Sequence, residues 1–287
     1  MILITDGGST KCDWIVLNPK GEKVGEKIRT KGLNPAILTE KKLNKLIRKS
    51  VDLIQISDQV THVYFYGAGC GTEKPKAMLK HVLQLVFLNA HVEVEEDTLA
   101  AVRACINTED EAAVVCIQGT GSNCSYFDGQ HLHQRVKSLG YSIMDDASGN
   151  SYGKQLLRDY YFNVMPETIK FAFGHKYNLD PDFIKYNLYK QPNPNAYLAN
   201  FAEFMFLNKD SEYIKNVIKN GFRIFVKSMI LQFDEELKQG VPVHFAGSIA
   251  FFSKDEIKEV AEEFGFKVGN FVRRPIDGLV NYHTKHL

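Results

Sequence analysis

The sequence has almost no net charge, formally +1 at pH 7 on 35 Lys and Arg against 34 Asp and Glu. Such a balance exerts no global pull toward nucleic acid or an acidic membrane, and points to a small-molecule partner. Paired cysteines are missing as well. Cys12, Cys70, Cys105, Cys116 and Cys124 are odd in number, widely spread and form no CxxC, which disfavours a disulfide framework or a zinc knuckle. Long apolar runs are also absent. The start, Met1-Ile-Leu-Ile4, has no basic segment before it and is too short for a secretory signal, and no later stretch approaches a membrane span. The expectation is a reducing, cytoplasmic protein. No low-complexity linker divides the chain, and neither the GxxxxGK[ST] P-loop nor the GxGxxG fingerprint occurs at its glycine turns.

What remains is a chain of 287 residues, 44% of them hydrophobic, enough for a sizeable core and better suited to two domains than to one. Its start alternates apolar runs and turns: Ile2 to Ile4, the turn Asp6-Gly-Gly-Ser-Thr10, Cys12 to Leu17, the turn Asn18-Pro-Lys-Gly21, then Lys23 to Arg29. This pattern predicts an antiparallel three-strand meander. Helical spacing of Leu43, Leu46, Ile47, Val51 and Ile54 follows, then a strand His62–Tyr66, a helix near Lys76 to Leu88 and a strand His91–Val94. From Ala113 the same order restarts with a strand to Ile117, a glycine turn, a strand Cys124–Phe127, the tight turn Asp128-Gly129 and a strand His131 to Val136. The turns Asp6–Cys12 and Gln118–Cys124 match in length and in the placing of Gly, hydroxyl and Cys, so a duplicated domain is expected. Further on, an apolar stripe from Val217 to Leu237 predicts one long helix of plain core, and Gln191–Asn195 reads as a surface loop between helices.

Glycine turns after buried strands let main-chain N–H groups approach a phosphate, and Ser or Thr adds donors. Either turn alone reads equally well as an ordinary hairpin. A third turn, Phe245-Ala-Gly-Ser-Ile249, follows a strand-like Val241–Phe245 and precedes a helix from Lys254. Its small residues suit a flat purine ring, although strand-Gly-Ser-helix is a common connection. Asp97 lies between the His91–Val94 strand and a helix Thr98–Ile106, where capping is the plain reading.

Asp6–Thr10, Gln118–Asn123 and Ala246-Gly-Ser248 resemble, in order and spacing, the two phosphate motifs and the adenosine motif of the sugar-kinase, heat-shock-protein and actin superfamily. Val94–Ala101, Ile117–Cys124 and Leu139–Gly149 resemble consecutive signatures of its N-acetylglucosamine kinase and BadF-type ATPase family. The resemblance spans residues 2 to about 283. It implies an α/β fold of two ribonuclease-H-like (actin-like ATPase) domains around an ATP cleft, with boundaries 1–112 and 113–287 and a last helix that can pack back on the first. It also implies an ATP- and Mg²⁺-dependent amino-sugar kinase and a homodimer, without nucleic-acid or membrane partners.

By that resemblance Asp97 is the catalytic base and a sugar contact, and Asp6 orients Mg²⁺ through water. Gly7, Gly8, Ser9, Thr10, Lys11, Gly119, Thr120, Gly121, Ser122, Gly247 and Ser248 contact ATP. Asn34, Leu139, Gly140 and Asp145 contact the sugar, with an Asx turn ahead of Pro35 as the competing account of Asn34. The pattern departs at Met144-Asp-Asp-Ala-Ser148, where relatives read Gly-Asp-Glu-Gly-Ser, and at Leu139, a Trp in some members. These departures leave N-acetylmuramic acid, glucosamine or another hexose as alternative substrates. An activator ATPase is a further alternative, opposed by the lack of a cluster-type cysteine pair, which leaves Cys70 as a small buried thiol.

Overall fold

The structure, a computed structural model, describes residues 1–8 and 11–285. Ser9 and Thr10 lie outside the described residues. Contacts divide the chain into two compact units, one formed by Met1–Ile106 with the chain from Arg274 onward, the other by Asn107–Arg273.

The first unit carries β1 (Ile2–Gly7), β2 (Lys11–Leu17), β3 (Ile28–Lys31), β4 (His62–Gly67) and β5 (His91–Glu96) in the order β3-β2-β1-β4-β5. The first three are antiparallel, while β1, β4 and β5 run parallel. Parallel strands need cover on both faces, and their alternation supplies it. Leu3, Trp14, Val63 and Phe65 pack with Leu43, Ile47, Leu79 and Val82 on one face. Ile2, Ile4, Ile15 and Leu17 pack on the other against Ala100 and against Ile276, Leu279 and Val280 of the helix Pro275–Thr284. That returning helix is tied by its His283, whose Nε2 lies 2.9 Å from the buried Tyr66 hydroxyl, itself an acceptor from Arg103.

The second unit carries β6 (Ala113–Gln118), β7 (Ser122–Phe127), β8 (Leu132–His133), β9 (Val243–Ala246) and β10 (Val268–Val272) in the order β10-β9-β6-β7-β8. Read from the other edge, this is the order of the first sheet, with the same antiparallel meander and parallel pair. The duplication anticipated from the turns is thus present in the topology. Between β8 and β9 run the helices of residues 149–238, whose Leu156, Phe173, Phe204, Phe222 and Phe225 fill the larger core.

Several element bounds differ from expectation. The third strand begins at Ile28, because Asn18 accepts from the N–H groups of Lys20 and Glu22 and holds a turn, leaving only a bridge at Lys23. The strand expected over 131–136 shrinks to Leu132–His133. The long helix ends at Ser228 and passes into a 3₁₀ turn at Ile230–Phe233, which sends Ile230 and Phe233 into the core.

The helix Gly149–Tyr161 approaches Pro194–Phe201 so closely that a Cβ on Gly153 would lie 1.8 Å from the Leu198 carbonyl oxygen. Backbone cannot yield as a side-chain tip would. Gly153→Ala should therefore lower unfolding free energy by about 3 kcal/mol in urea denaturation, and a loss below about 0.5 kcal/mol would refute this account of the packing.

Candidate active site

In the first unit the carboxyl ends of the parallel strands gather the acidic residues, the usual ligand side of such a sheet. Asp6 stands at the end of β1, directly opposite Asp13 on β2, which pairs in turn with Arg29 on β3. Two carboxylates facing each other across a ladder repel, and the sequence answers with cations. Lys27 Nζ donates to Asp13 at 2.8 Å and Arg29 Nε at 2.7 Å. Burial works against the charged form of Asp13, yet these hydrogen bonds hold its carboxyl below the ordinary value.

Asp6 has no such partner among the described residues. Burial, then the charges of Asp97 and Asp13, raise its carboxyl from 3.8 to about 6, against a weaker opposing pull from Lys11 and Lys27. Asp97 follows β5 directly. Its side chain is open to solvent, but removal of bulk water by the surrounding protein raises its carboxyl as well, while the Thr98 N–H works the other way. The capping expectation is corrected here. β5 runs on to Glu96, which takes the N-cap position, and Asp97 is the first residue of the helix Asp97–Cys105. Its carboxyl is thereby left for other work.

The loop after β4 completes this cluster. A Cβ on Gly69, whose φ is +82°, would lie 2.0 Å from Asn34 Oδ1, and one on Gly71 would meet Glu96 Oε2 at 3.0 Å. Asn34, 9% exposed, accepts the Ala36 N–H at 2.9 Å, so the Asx turn exists. Cys70 is a buried thiol pushed up to about 12 by burial and by Asp97. Gly7 is needed for packing, since a Cβ there would strike the Phe65 ring at 2.6 Å, while Gly8 donates to the Lys11 carbonyl at 2.8 Å and closes the first turn. Lys11 is exposed.

In the second unit three separate stretches converge. Gly119 donates to the Gly121 carbonyl at 2.9 Å, making a tight turn that leaves Thr120 exposed. Gly247, at φ +116°, ends β9 so close that a Cβ would lie 2.2 Å from the Gln118 carbonyl oxygen. The Asp145 carboxylate occupies the place a side chain on Gly121 would need, 2.7 Å from its would-be Cβ. Ser122 donates its only proton to the Asp146 carbonyl at 2.7 Å, and Asn150 donates to the Thr120 carbonyl at 2.6 Å and to Asp145 at 3.0 Å. The helix Gly149–Tyr161 starts beneath the turn, with Gly149 and Asn150 N–H groups bonded to the carbonyls of Gly119 and Thr120. Beside exposed Ser248, a recess of about 380 Å³ is lined by the rings of Tyr177, Phe206 and Phe252 together with Lys176, Asn200 and Glu203, flat apolar faces among polar groups of the kind that suit a planar ring.

The loop 139–148 holds backbone strain. Asp145 and Ala147 adopt φ of +70° and +55°, the region glycine favours. Leu139 is 63% exposed and Gly140 takes φ +82°. Sequence reasoning missed Asp13, Asp146 and Asn150. Asp13 was within reach of the hairpin pairing that sets it opposite Asp6; the other two act through a loop fold that no local signal announces. Among the described residues no cluster of three or more His, Cys, Asp or Glu forms a ready metal cage, and no helix is long and apolar enough to cross a membrane.

Two outcomes test these electrostatics. A carboxyl whose folded pKa is raised contributes its full stability below 3.8 and loses it as pH rises through about 6. Asp6→Asn should accordingly unfold at higher urea than the parent at pH 8, by about 2 kcal/mol, with the gap closing near pH 4. Equal stability at pH 8 would sink it. Ala147→Gly should relieve strain and stabilise the chain by about 1 kcal/mol, and a destabilised variant would show the loop to be unstrained.

The sequence matches the BadF/BadG/BcrA/BcrD ATPase family over residues 5–260. No match is found among curated proteins. Among solved structures, a protein from Porphyromonas gingivalis provisionally assigned as an N-acetylglucosamine kinase is 33% identical, with TM-score 0.91 over 100% of both chains. One from Chromobacterium violaceum with the same provisional assignment is 12% identical, with TM-score 0.72 over 98% of each chain. A ROK-family glucokinase from Streptomyces griseus, in complex with glucose and AMPPNP, shares the fold at 13% identity and TM-score 0.58, over 98% of this chain and 97% of that one.

Proposed function

The chain belongs to the BadF/BadG/BcrA/BcrD ATPase family, and from that premise we propose that it is an ATP-dependent amino-sugar kinase transferring the γ-phosphoryl group to the 6-hydroxyl of N-acetylglucosamine. The observation that carries the reading is the coupled pair of burial-raised carboxyls, Asp6 and Asp97, at the ends of parallel strands in one unit. It is joined by the likeness to a 33%-identical protein provisionally assigned that activity.

Asp97 is the general base in this reading. Its carboxyl is solvent-open, proton affinity raised, and not spent as a helix cap. It takes the proton of the sugar hydroxyl as that oxygen bonds the γ-phosphorus and the bond to the β,γ-bridging oxygen breaks, releasing ADP. Thr120 and the main chain of Gly119–Gly121 hold the phosphates, with Ser122 and Asn150 bracing the turn from below. Gly247 and Ser248 border the base, whose ring lies in the recess walled by Phe206 and Phe252. Gly7, Gly8 and Lys11 belong to the first phosphate turn.

Asp6 fits a Mg²⁺ role. It offers a hard oxygen donor whose charge is left uncompensated by the cations that neutralise Asp13. When bound, Mg²⁺ neutralises charge on the transferring phosphates. With no cluster of three or more His, Cys, Asp or Glu among the described residues, phosphate oxygens and water would complete the ion's shell. Asn34, Leu139, Gly140 and Asp145 contact the sugar. The kinase works in the cytoplasm as a homodimer.

The alternatives differ in the sugar, because Met144 and Ala147 alter the loop expected to read it. ADP release measured over N-acetylglucosamine, N-acetylmuramic acid, glucosamine and glucose should show highest kcat/KM for the first. ATP hydrolysis indifferent to every sugar would favour an activator ATPase instead. Asp97→Asn should lower kcat by about 10²–10⁴-fold with folding intact, and normal turnover in that variant would remove Asp97 as base.

A further inference from the structure

Cys116 and Cys124 stand directly opposite each other on β6 and β7, with their sulfurs 3.5 Å apart. Both are buried, at 0% and 1% exposure, in the apolar core of the second unit. Directly opposed residues on antiparallel strands have Cα atoms about 4.5 or 5.5 Å apart, and both spacings lie inside the range of about 4.4–6.8 Å that a disulfide spans. Only the sulfurs need to close, to about 2.05 Å.

We propose that Cys116 and Cys124 are a modification site, a reversible disulfide formed by a small hydroperoxide in the folded protein. One sulfur attacks the peroxide, so that an S–O bond forms, the O–O bond breaks and water leaves. The second thiol then attacks the sulfenic sulfur, the S–S bond forms, the S–O bond breaks and a second water leaves. Two thiols and one hydrogen peroxide yield one disulfide and two waters, and an added dithiol restores the pair. Access comes through local opening of the hairpin end, where Thr120 is exposed only a few residues from both sulfurs.

The crosslink bears on the turn it subtends. Cys116 and Cys124 each lie two residues from the last ladder pair, Gln118 with Ser122, which bounds the Gly119–Gly121 turn. Drawing the sulfurs together by more than an ångström reshapes that turn, and displacements of this size at a reacting group cost large factors in rate. This second half rests on the kinase reading above, while the crosslink itself does not.

The test treats the native protein with hydrogen peroxide, blocks remaining thiols after denaturation and determines the disulfide by peptide mass spectrometry. A 2 Da loss mapped to a Cys116–Cys124 linked peptide is expected, with a midpoint of thermal unfolding raised by about 5 °C and both changes reversed by dithiothreitol. Turnover with ATP should fall at least threefold on oxidation and recover on reduction. Cys116→Ala and Cys124→Ala should abolish the link, and because the decisive measurement uses the parent protein, a variant that folds poorly leaves it standing. Five free thiols after treatment, or a link seen only in denaturant, would overturn the site. A crosslinked protein with unchanged turnover would overturn the control of the turn, and absence of kinase activity before oxidation would instead count against the functional reading alone.

Discussion

Two carboxylates set face to face across a β-ladder are the constraint around which the first unit is arranged. Asp6 and Asp13 must share one rung because the hairpin register leaves no choice. The next strand answers with Arg29 on the same rung and Lys27 beside it, and both cations settle on Asp13. Had they been divided between the two acids, Asp6 would have been an ordinary paired carboxylate. Because they are not, Asp6 stays proton-hungry and coupled to Asp97, whose charge reaches it from the end of β5. A half-buried carboxyl lacking a cation is costly to a folded chain, and its retention makes sense where the missing charge arrives with a ligand.

The second unit meets a different constraint, that of space. Its glycine turn, the end of β9 and the loop before the helix Gly149–Tyr161 occupy nearly the same volume, and they fit because Gly121 and Gly247 carry no side chains. The resulting contacts are polar and specific: Asn150 binds turn and loop together, and Ser122 ties the turn to Asp146. Local strain at Asp145 and Ala147 is tolerated because the surrounding bonds over-determine the loop. Strain held in this way belongs to sites rather than to packing.

How much of this was legible in the sequence follows from how local each cause is. The Gly turns and the period-two runs around them depend on a few adjacent residues, and the meander at the start of each sheet and its repetition could be anticipated from them. The start of β3 could not, because Asn18 spends its side chain on a turn before the ladder resumes. The local setting of Asp97 was misjudged: β5 gains two residues by pairing Glu95 and Glu96 with β4, a tertiary effect that moves the cap to Glu96. For Asn34 the Asx turn is present, and the oxygen that closes it also lies against Gly69.

The departures at Met144 and Ala147 take on physical meaning in this light. Met144 is not in the left-handed region, so the loss of glycine there removes no needed conformation, and only side-chain bulk is added. Ala147 is in that region and is 1% exposed, so its methyl is accommodated by the core while its backbone bears the strain. The loop therefore keeps the path that glycine would allow, at some cost in stability, and Asp145 remains over the turn. Preservation of that path despite the substitution argues that the position of Asp145, rather than the flexibility of the loop, is what the fold maintains.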